Sequence, residues 1–348
     1  MKNYYTLVII LLFFYSVSNA QNSGPSLSGY FETTYNYNFA NGKTNMLRSY
    51  DSRANQIALN NLHLELSGNA SDKLSYNAQI DFGTDAAVHG VLHQSALGAG
   101  PVAVDLQEAY LTYSFNDQWK FTVGKFVTFE GIEVIEGPYN PTISRGYLFG
   151  LAEPFTHVGG YINFIPSPQL DFKLGVINGW DLLVDNNLDK TIIARLGINL
   201  GEPLSFGISY SYGVEQLNSS DARNSFDLTG VTNLIPNIAV NFQFNYGLEK
   251  INNEDTKWMG FGIQPVIKLS EGFDVGLRAE YFSDEQGART GITDLKTFNF
   301  TVVPTFKLDA LTLRVEYRLD NANQEIFIEE NGVSKISNTI SLGLSFSF

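Results

Sequence analysis

Strict two-residue alternation of apolar and polar side chains recurs along this chain and limits the folds that it can adopt. The last eight residues, SLGLSFSF, place leucine and phenylalanine on one side and serine and glycine on the other. Residues 204–212 and 238–248 repeat the pattern. Because successive side chains of a β-strand point to opposite faces, each run predicts a strand with one apolar face. Runs of about ten residues also have the length that crosses a bilayer as a tilted strand.

The connections between the predicted strands alternate between short and long. The short ones, such as Asn116-Asp117 and Gly201-Glu202-Pro203, consist of turn-forming residues. The long ones include residues 83–103, 129–156, 249–256 and 321–336. Such sorting is typical of an outer-membrane barrel, with tight turns on the periplasmic side and long loops outside. We therefore predict an all-β fold, a transmembrane, antiparallel, up-and-down β-barrel of about 16 strands, with 14 or 18 left open.

Aromatic residues support the same architecture, because many fall near the predicted strand ends. Trp119 and Phe306 lie near periplasmic ends, and Tyr210 and Trp258 near outer ends. Two aromatic girdles at the two membrane interfaces are typical of outer-membrane barrels. The alternation therefore predicts one lipid-facing and one lumen-facing side for every strand.

The first twenty residues have the features of a secretory signal peptide. Lys2 supplies a positive charge, residues 6–15 are apolar, and Ser18-Asn19-Ala20 offers a small-residue cleavage site. The apolar run is shorter than the roughly 20 residues that a spanning helix needs. We expect residues 1–20 to be removed near Ala20, leaving one barrel domain over residues 21–348 as an integral protein of the cell outer membrane.

One long connection, Glu130 to Thr156, is too apolar for a solvated external loop. Ile135, Leu148 and Phe149 all need burial, and three prolines break any regular strand. A loop longer than about 15 residues without its own regular structure is usually functional. We predict a constriction loop that folds inward, because a barrel of about 16 strands has a wide lumen. An external flap packed on its neighbours is the alternative.

Several stretches in and around this loop resemble one known family. GKF at 124–126, GIE at 131–133, SRGYLF at 144–149, PFTHVG at 154–159 and GVINGW at 175–180 resemble the OmpL-like family of β-barrel porins. The resemblance extends over the mature chain. It implies an outer-membrane porin for small solutes and adds no catalytic residues.

Charged residues of the predicted lumen suggest how solutes could be selected. The loop carries four glutamates and one arginine: Glu130, Glu133, Glu136, Glu153 and Arg145. A predicted basic wall on later strands faces them: Arg195, Arg278, Arg314 and Arg318. Opposed rings of charge create a transverse field that selects by charge. Alternatively, such residues only solvate a polar lumen. We expect Arg145 to pair with Glu133 or Glu136 and hold the loop fold.

The predicted function is passive diffusion of small hydrophilic solutes and ions, with no cofactor and no catalytic residues. His89 and His93 lack a helix pattern and a third ligand, so we predict no zinc site. No serine lies in a G-x-S-x-G context. A net charge of −14 disfavours nucleic-acid binding. A channel selective for sugars or anions is the alternative, followed by a barrel enzyme or an adhesion barrel.

The expected partners follow from the predicted location. They are membrane lipid, lipopolysaccharide, small solutes and the outer-membrane assembly machinery. The last of these would read the C-terminal strand that ends in Phe348. The sequence leaves open whether the barrel is a homo-oligomer.

Overall fold

The computed structural model describes residues 24–95, 103–201, 203–217, 219–251 and 253–348. The strands in chain order are β1 (Ser26–Asn38), β2 (Gln56–Ser71), β3 (Leu74–Phe82), β4 (Val104–Ser114), β5 (Trp119–Val127), β6 (Thr156–Ser167), β7 (Leu170–Ile177), β8 (Thr191–Asn199), β9 (Leu204–Val214), β10 (Ala222–Ile235), β11 (Ile238–Ile251), β12 (Glu254–Ser270), β13 (Phe273–Asp284), β14 (Leu295–Leu308), β15 (Leu311–Ala322), β16 (Phe327–Glu329), β17 (Gly332–Ser334) and β18 (Ile336–Ser347). The helical elements are α1 (Thr84–Ser95), a 3-10 turn (Gly137–Tyr139) and a π-helical turn (Leu148–Ala152).

Sixteen of these strands, β1–β15 and β18, form one closed antiparallel barrel. Each strand pairs with its neighbours in the chain, and β1 closes the barrel against β18, with Tyr30 opposite Ser347. The remaining pair, β16 and β17, is a small separate hairpin. The predicted up-and-down barrel is therefore confirmed.

Strand alternation separates the two faces of the wall as the sequence predicts. In β1, Tyr30, Glu32 and Asn36 are buried, whereas Phe31 and Tyr35 between them are each 37% exposed. In a closed barrel, the buried set must point inward and the exposed apolar set outward. Polar and charged residues therefore occupy the inside of this protein, and apolar residues its outside, as in a transmembrane barrel.

Tight turns end the strands on one side of the barrel. Asn237 between β10 and β11 and Asp309 between β14 and β15 both adopt positive φ, at 62° and 54°. Asparagine and aspartate tolerate this left-handed conformation better than most residues, so they suit two-residue connections.

The opposite side carries longer connections, with three differences from the sequence-based expectation. The connection predicted at 249–256 is a tight one, because β11 continues to Ile251 and β12 begins at Glu254. Residues 83–103 include the helix α1, and residues 321–336 include the β16–β17 hairpin. None of the helices in the described ranges is both long and apolar enough to cross a membrane.

Aromatic side chains form stacked pairs at the tight-turn end. Trp119 packs against Phe164 with ring centroids 4.2 Å apart, and Phe273 against Phe306 at 4.7 Å. Trp258 lies near the outer end of β12, as predicted, but its predicted place in the lipid-facing girdle is wrong, because this side chain is only 1% exposed. Strand alternation explains the difference: Phe261 and Ile263 are exposed, so Trp258 has the inward parity.

Candidate functional site

Residues 128–155, which we call the inner segment, connect β5 to β6 and contact inward-facing side chains of the barrel wall. The segment has little regular structure, so its buried N–H and C=O groups need partners other than a helix or sheet. Many of those partners are charged residues of β13 and β15, and others come from the segment itself and from neighbouring strands such as β10, where Asp227 accepts a hydrogen bond from the amide of Gly131.

Three arginines of the wall donate hydrogen bonds to carbonyl oxygens of the inner segment. Arg278 on β13 binds the carbonyl of Ser144 at 2.6 Å. On β15, Arg314 binds the carbonyl of Asn140 at 3.1 Å. Arg318, on the same strand, binds the carbonyl of Arg145 at 2.6 Å. All three arginines are at most 2% exposed, and two of them also pair with wall carboxylates, Arg314 with Glu32 and Arg318 with Asp320.

Two wall carboxylates bind N–H groups of the same segment. Glu280 on β13 accepts hydrogen bonds from the amides of Tyr147 at 2.6 Å and Leu148 at 2.9 Å. Glu316 on β15 accepts from Ile143 at 2.7 Å and from Ser144 at 3.0 Å. Charge-assisted hydrogen bonds of this kind are about twice as strong as neutral ones. The irregular backbone is thereby fixed against one side of the wall.

Glu133 is the glutamate of the inner segment that forms an ion pair with the wall. Its Oε1 lies 2.8 Å from Nη1 of Arg278, with side-chain exposures of 3% and 1%. The same carboxylate accepts hydrogen bonds from Gln264 at 2.7 Å and from the amide of Gly146 at 2.6 Å. Glu133 therefore links two separate parts of the segment, around residues 133 and 146, to β12 and β13.

The other predicted glutamates bind neutral donors. Glu136 accepts a hydrogen bond from Gln107 at 2.5 Å, and Glu153 accepts one from Gln243 at 2.5 Å. Glu130 accepts hydrogen bonds from two serines of the wall, Ser211 at 2.9 Å and Ser225 at 2.6 Å.

Glu130 is buried in this arrangement, and its protonation responds to that burial. Burial, together with the nearby carboxylate of Asp227, raises the pKa of Glu130 to about 8. The local backbone also requires Gly131, which adopts φ +90° and lies so close to Glu153 that a Cβ would fall 2.1 Å from its Oε1.

Arg145 holds the inner segment together, although not through the carboxylates that the sequence suggested. Its guanidinium donates to the carbonyls of Val134 at 2.9 Å, Ile143 at 2.9 Å and Ile135 at 2.6 Å. It also lies 5.1 Å from the ring centroid of Tyr50. The expected pairing with Glu133 or Glu136 is replaced by these carbonyl contacts.

Apolar residues of the inner segment pack in two groups. Tyr147 and Leu148 are buried in a cluster with Trp258 and Phe282 of the wall. This cluster explains the inward orientation of Trp258.

The second group reaches towards the outer end of the barrel. Phe155 lies 4.8 Å from Phe149 and stacks on His89 of α1 at 5.1 Å. His89 also hydrogen-bonds Tyr50. Among the residues that the structure describes, no set of three or more His, Cys, Asp or Glu side chains is arranged to hold a metal ion.

Two adjoining cavities lie between the inner segment and the side of the wall that contains Lys173 and Arg195. The lower cavity, at the tight-turn end, has a volume of about 540 Å³, and its polar lining includes Asp171, Lys173, Arg195, Asn199, Thr229 and Asn241. The middle cavity, of about 320 Å³, is lined by the inner segment on one side and by Glu108, Lys173 and Arg195 on the other. Both cavities share the residues Gly131, Lys173, Arg195 and Thr229.

The structure thus divides the predicted basic wall into two parts. Arg278, Arg314 and Arg318 are buried under the inner segment, whereas Arg195 lines the cavities on a different side. Glu280, Glu316 and Lys173 are further lumen residues that strand alternation places inward. Nothing in the local sequence distinguishes a tethering charge from one that lines open space.

The comparisons with known proteins agree with this architecture. The family model described as "Putative beta-barrel porin-2, OmpL-like" matches residues 25–348. The chain belongs to this family. The OmpL-like resemblance and the outer-membrane barrel expected from the sequence are therefore confirmed, and this OmpL-like porin is an outer-membrane channel.

Solved structures show the same fold for the OmpL-like porin at low sequence identity. OmpT of Vibrio cholerae, in its trimer form, matches with a TM-score of 0.64 and 12% identity over 93% of this chain and 99% of that chain. An anion-selective porin from Comamonas acidovorans matches at 0.64 and 10% over 94% and 100%. The channel DcaP of Acinetobacter baumannii matches at 0.62 and 13% over 93% and 97%. The search of curated proteins found no matching relative.

Proposed function

We propose that this OmpL-like porin is a passive diffusion channel for small hydrophilic solutes and ions, with no catalytic activity. Its water path follows the wall from β4 to β11, and the inner segment narrows that path as a constriction loop. The observation that carries this proposal is the pair of polar cavities that meet at Lys173, Arg195 and Thr229.

The charges along this path support selection by a transverse field. Glutamates of the inner segment, Glu130, Glu133, Glu136 and Glu153, line the middle cavity on one side, and Glu130, with a pKa of about 8, adds its charge only as the pH rises towards and above that value. Lys173 and Arg195 line it on the other side. Opposed charges across a narrow passage favour solutes according to their charge and dipole. Of the predicted basic wall, Arg195 alone takes this role in the proposal, because the other three arginines hold the segment.

Thiol labelling tests the position of the path, because the sequence contains no cysteine. Thr229, which lines both cavities, is changed to cysteine. Thr301, which is 0% exposed beneath the inner segment, is changed to cysteine as the matched control. A charged, water-soluble methanethiosulfonate reagent is then added to each protein in a planar bilayer.

We expect labelling to lower the conductance of Thr229→Cys and to leave Thr301→Cys unchanged. Unmodified protein should conduct in proportion to voltage, because an open pore has no voltage-driven gate. Equal responses of the two variants would place the path elsewhere, and a silent unmodified barrel would contradict the channel proposal.

We also propose how the porin reaches and occupies the membrane. Export with cleavage near Ala20 is supported by the sequence of residues 1–20, which lie outside the described residues, and leaves the single domain 21–348. Recognition of the last strand by the assembly machinery is supported by Phe348, which is 54% exposed. The amide and carbonyl of Phe348 both bond to Gly29 where β1 meets β18.

Contacts with lipid and lipopolysaccharide are proposed for the outer face, since its exposed side chains are apolar or aromatic. A homo-oligomer is proposed as well, and gel filtration of the folded porin in detergent would test it. The trimer form recorded for OmpT suggests this experiment.

A further inference from the structure

We infer that Lys173 and Arg195 form a binding subsite for anionic solutes that carry a carboxylate or phosphate group. This inference rests on the proposed water path and names the class of solute that the path would favour. It depends on the positions of these two positive charges, on the space around their side chains and on the hydrogen bonds that nearby carboxylates already accept.

The two cations are direct cross-strand neighbours. Lys173 on β7 lies opposite Arg195 on β8, and both side chains point into the lumen. Like charges directly opposite each other destabilise a sheet. Asp171 offsets this only partly, since its carboxylate lies 4.0 Å from Nζ of Lys173. An anion between the two cations would remove the repulsion.

Arg195 differs in its contacts from the other arginines of the predicted basic wall. Arg278, Arg314 and Arg318 each donate several hydrogen bonds and are buried. Arg195 makes no side-chain hydrogen bond and no ion pair within the described parts of the chain. Its guanidinium therefore keeps its donors available for a solute.

The sequence leaves room for both side chains. Gly207 on β9 lies beneath the guanidinium, where a Cβ would fall 2.1 Å from Nη1 of Arg195. Any larger residue at this position would displace the guanidinium from the wall. Lys173 is positioned from the other side, since its Nζ lies 5.1 Å from the ring centroid of Phe129. The inner segment thus holds one cation and the wall accommodates the other.

Two carboxylates of the inner segment already have donors, and Asp171, whose Oδ1 has no hydrogen-bond partner among the described residues, supplies one negative charge against the two positive charges of Lys173 and Arg195, which favours an anion over a cation as the bound species. Glu130 accepts hydrogen bonds from two serines, and Glu153 accepts one from Gln243. A planar guanidinium beside an ammonium group matches the oxygens of a carboxylate or phosphate. Because Lys173 and Arg195 line both cavities, a solute that follows the path must pass them.

Concentration-dependent conductance tests the subsite. The full-length porin is measured in planar bilayers with potassium phosphate, potassium acetate, potassium malonate and potassium chloride. Lys173→Gln/Arg195→Gln removes both charges. Lys268→Gln is the matched control, because Lys268 has the inward parity on β12 and lines neither cavity. Heat-dependent gel mobility verifies that each barrel is folded.

We expect conductance of the unmodified porin to saturate with phosphate or with the carboxylates. The double variant should raise the half-saturating concentration about tenfold or more, because it loses two charge-assisted contacts. The control should retain saturation. The salt with the lowest half-saturating concentration identifies phosphate or carboxylate as the preferred group.

Two results would overturn the inference, and they differ from failure of the channel proposal. Linear conductance of the unmodified porin with all four salts would remove the subsite and leave a general diffusion channel. Identical saturation in the double variant would place anion binding elsewhere. A folded barrel that carries no current in any salt would instead contradict the proposed function, and the subsite with it.

Discussion

The ion pair between Glu133 and Arg278 predicts how firmly the inner segment is held. We consider Glu133→Gln, which keeps the size of the side chain and removes its charge. Arg278 would then remain buried, at 1% exposure, without its counter-charge. The new amide group would also face existing donors, including the amide of Gly146. The docked position of the segment therefore becomes less stable, whereas strand pairing is untouched.

The size of the effect follows from the burial of the pair. Removing one partner of a buried ion pair typically costs about 3–5 kcal/mol. If this cost falls on the docked state, the undocked population rises between about a hundredfold and a few thousandfold, at tenfold per 1.4 kcal/mol. The remaining tethers, such as Glu280 and Glu316, keep part of the segment in place. We expect brief transitions to a wider pore rather than a permanently wide one.

Single-channel recording in planar bilayers measures these transitions directly. Glu249→Gln is the control, because Glu249 forms a buried pair with Arg223, at 2.8 Å, on β10 and β11. That pair does not contact the inner segment, so its loss should leave the current trace unchanged. A Glu133→Gln trace indistinguishable from the unmodified and control traces would refute this account of docking.

Three further predictions address the wall, pH and Arg145. Phe300→Arg, on the outer face at mid-strand, should cost about 2–4 kcal/mol and lower the yield of folded barrel on gels, whereas Asn241→Arg in the lumen should not. The pKa of Glu130 is about 8 when docked and ordinary when exposed, so docking is firmest at low pH and weakens as pH rises through about 8. Conductance fluctuations should therefore increase between pH 5 and pH 9, and Glu130→Gln should weaken that dependence, while burial also raises the pKa of Glu153 in the same segment. Arg145→Glu should raise conductance and cation preference, measured by reversal potential, because a carboxylate would face three carbonyls; unchanged values would contradict it.

The barrel can be predicted from the sequence because each strand carries the alternating pattern within its own residues. Each strand must place apolar residues towards lipid and polar residues towards the lumen, so a period of two appears in every strand. This rule does not locate the end of a strand. At the β11–β12 connection a long loop was predicted, but polar residues continue the strand pairing to Ile251 and Glu254. Trp258 is a second error. Its residue type suggested an aromatic girdle, although it lies three residues before the lipid-facing Phe261 and therefore points to the opposite, inward face.

The inner segment is only partly predictable, because its partners are distant in the chain. Its apolar and proline-rich composition indicates burial, but the contacts join residues more than a hundred positions apart. Glu133 contacts Arg278, and Ser144 contacts Glu316. Sequence parity identifies which charges point inward. It cannot identify which of them the segment covers, since that depends on the path of an irregular backbone.

The separation between wall and inner segment leads to a final prediction. The wall closes through backbone pairing of all sixteen strands. The segment is fixed by side chains of the wall, above all those of β13 and β15. Its own contribution to the strand ladder is limited to where it leaves β5 and enters β6.

Deleting residues 138–146 should therefore leave the barrel assembled. Glu316 would lose its bonds to the segment and Arg314 would keep its ion pair with Glu32, but in a wider lumen both would meet water instead of a dry interior, so the penalty is small. Conductance should rise because the narrowest point sets the resistance of a pore. Heat-dependent gel mobility measures assembly, and bilayer recording measures conductance. A deletion variant that fails to assemble would show that the segment is part of the barrel's folding unit, and one that assembles with unchanged conductance would place the segment outside the resistance-limiting part of the path.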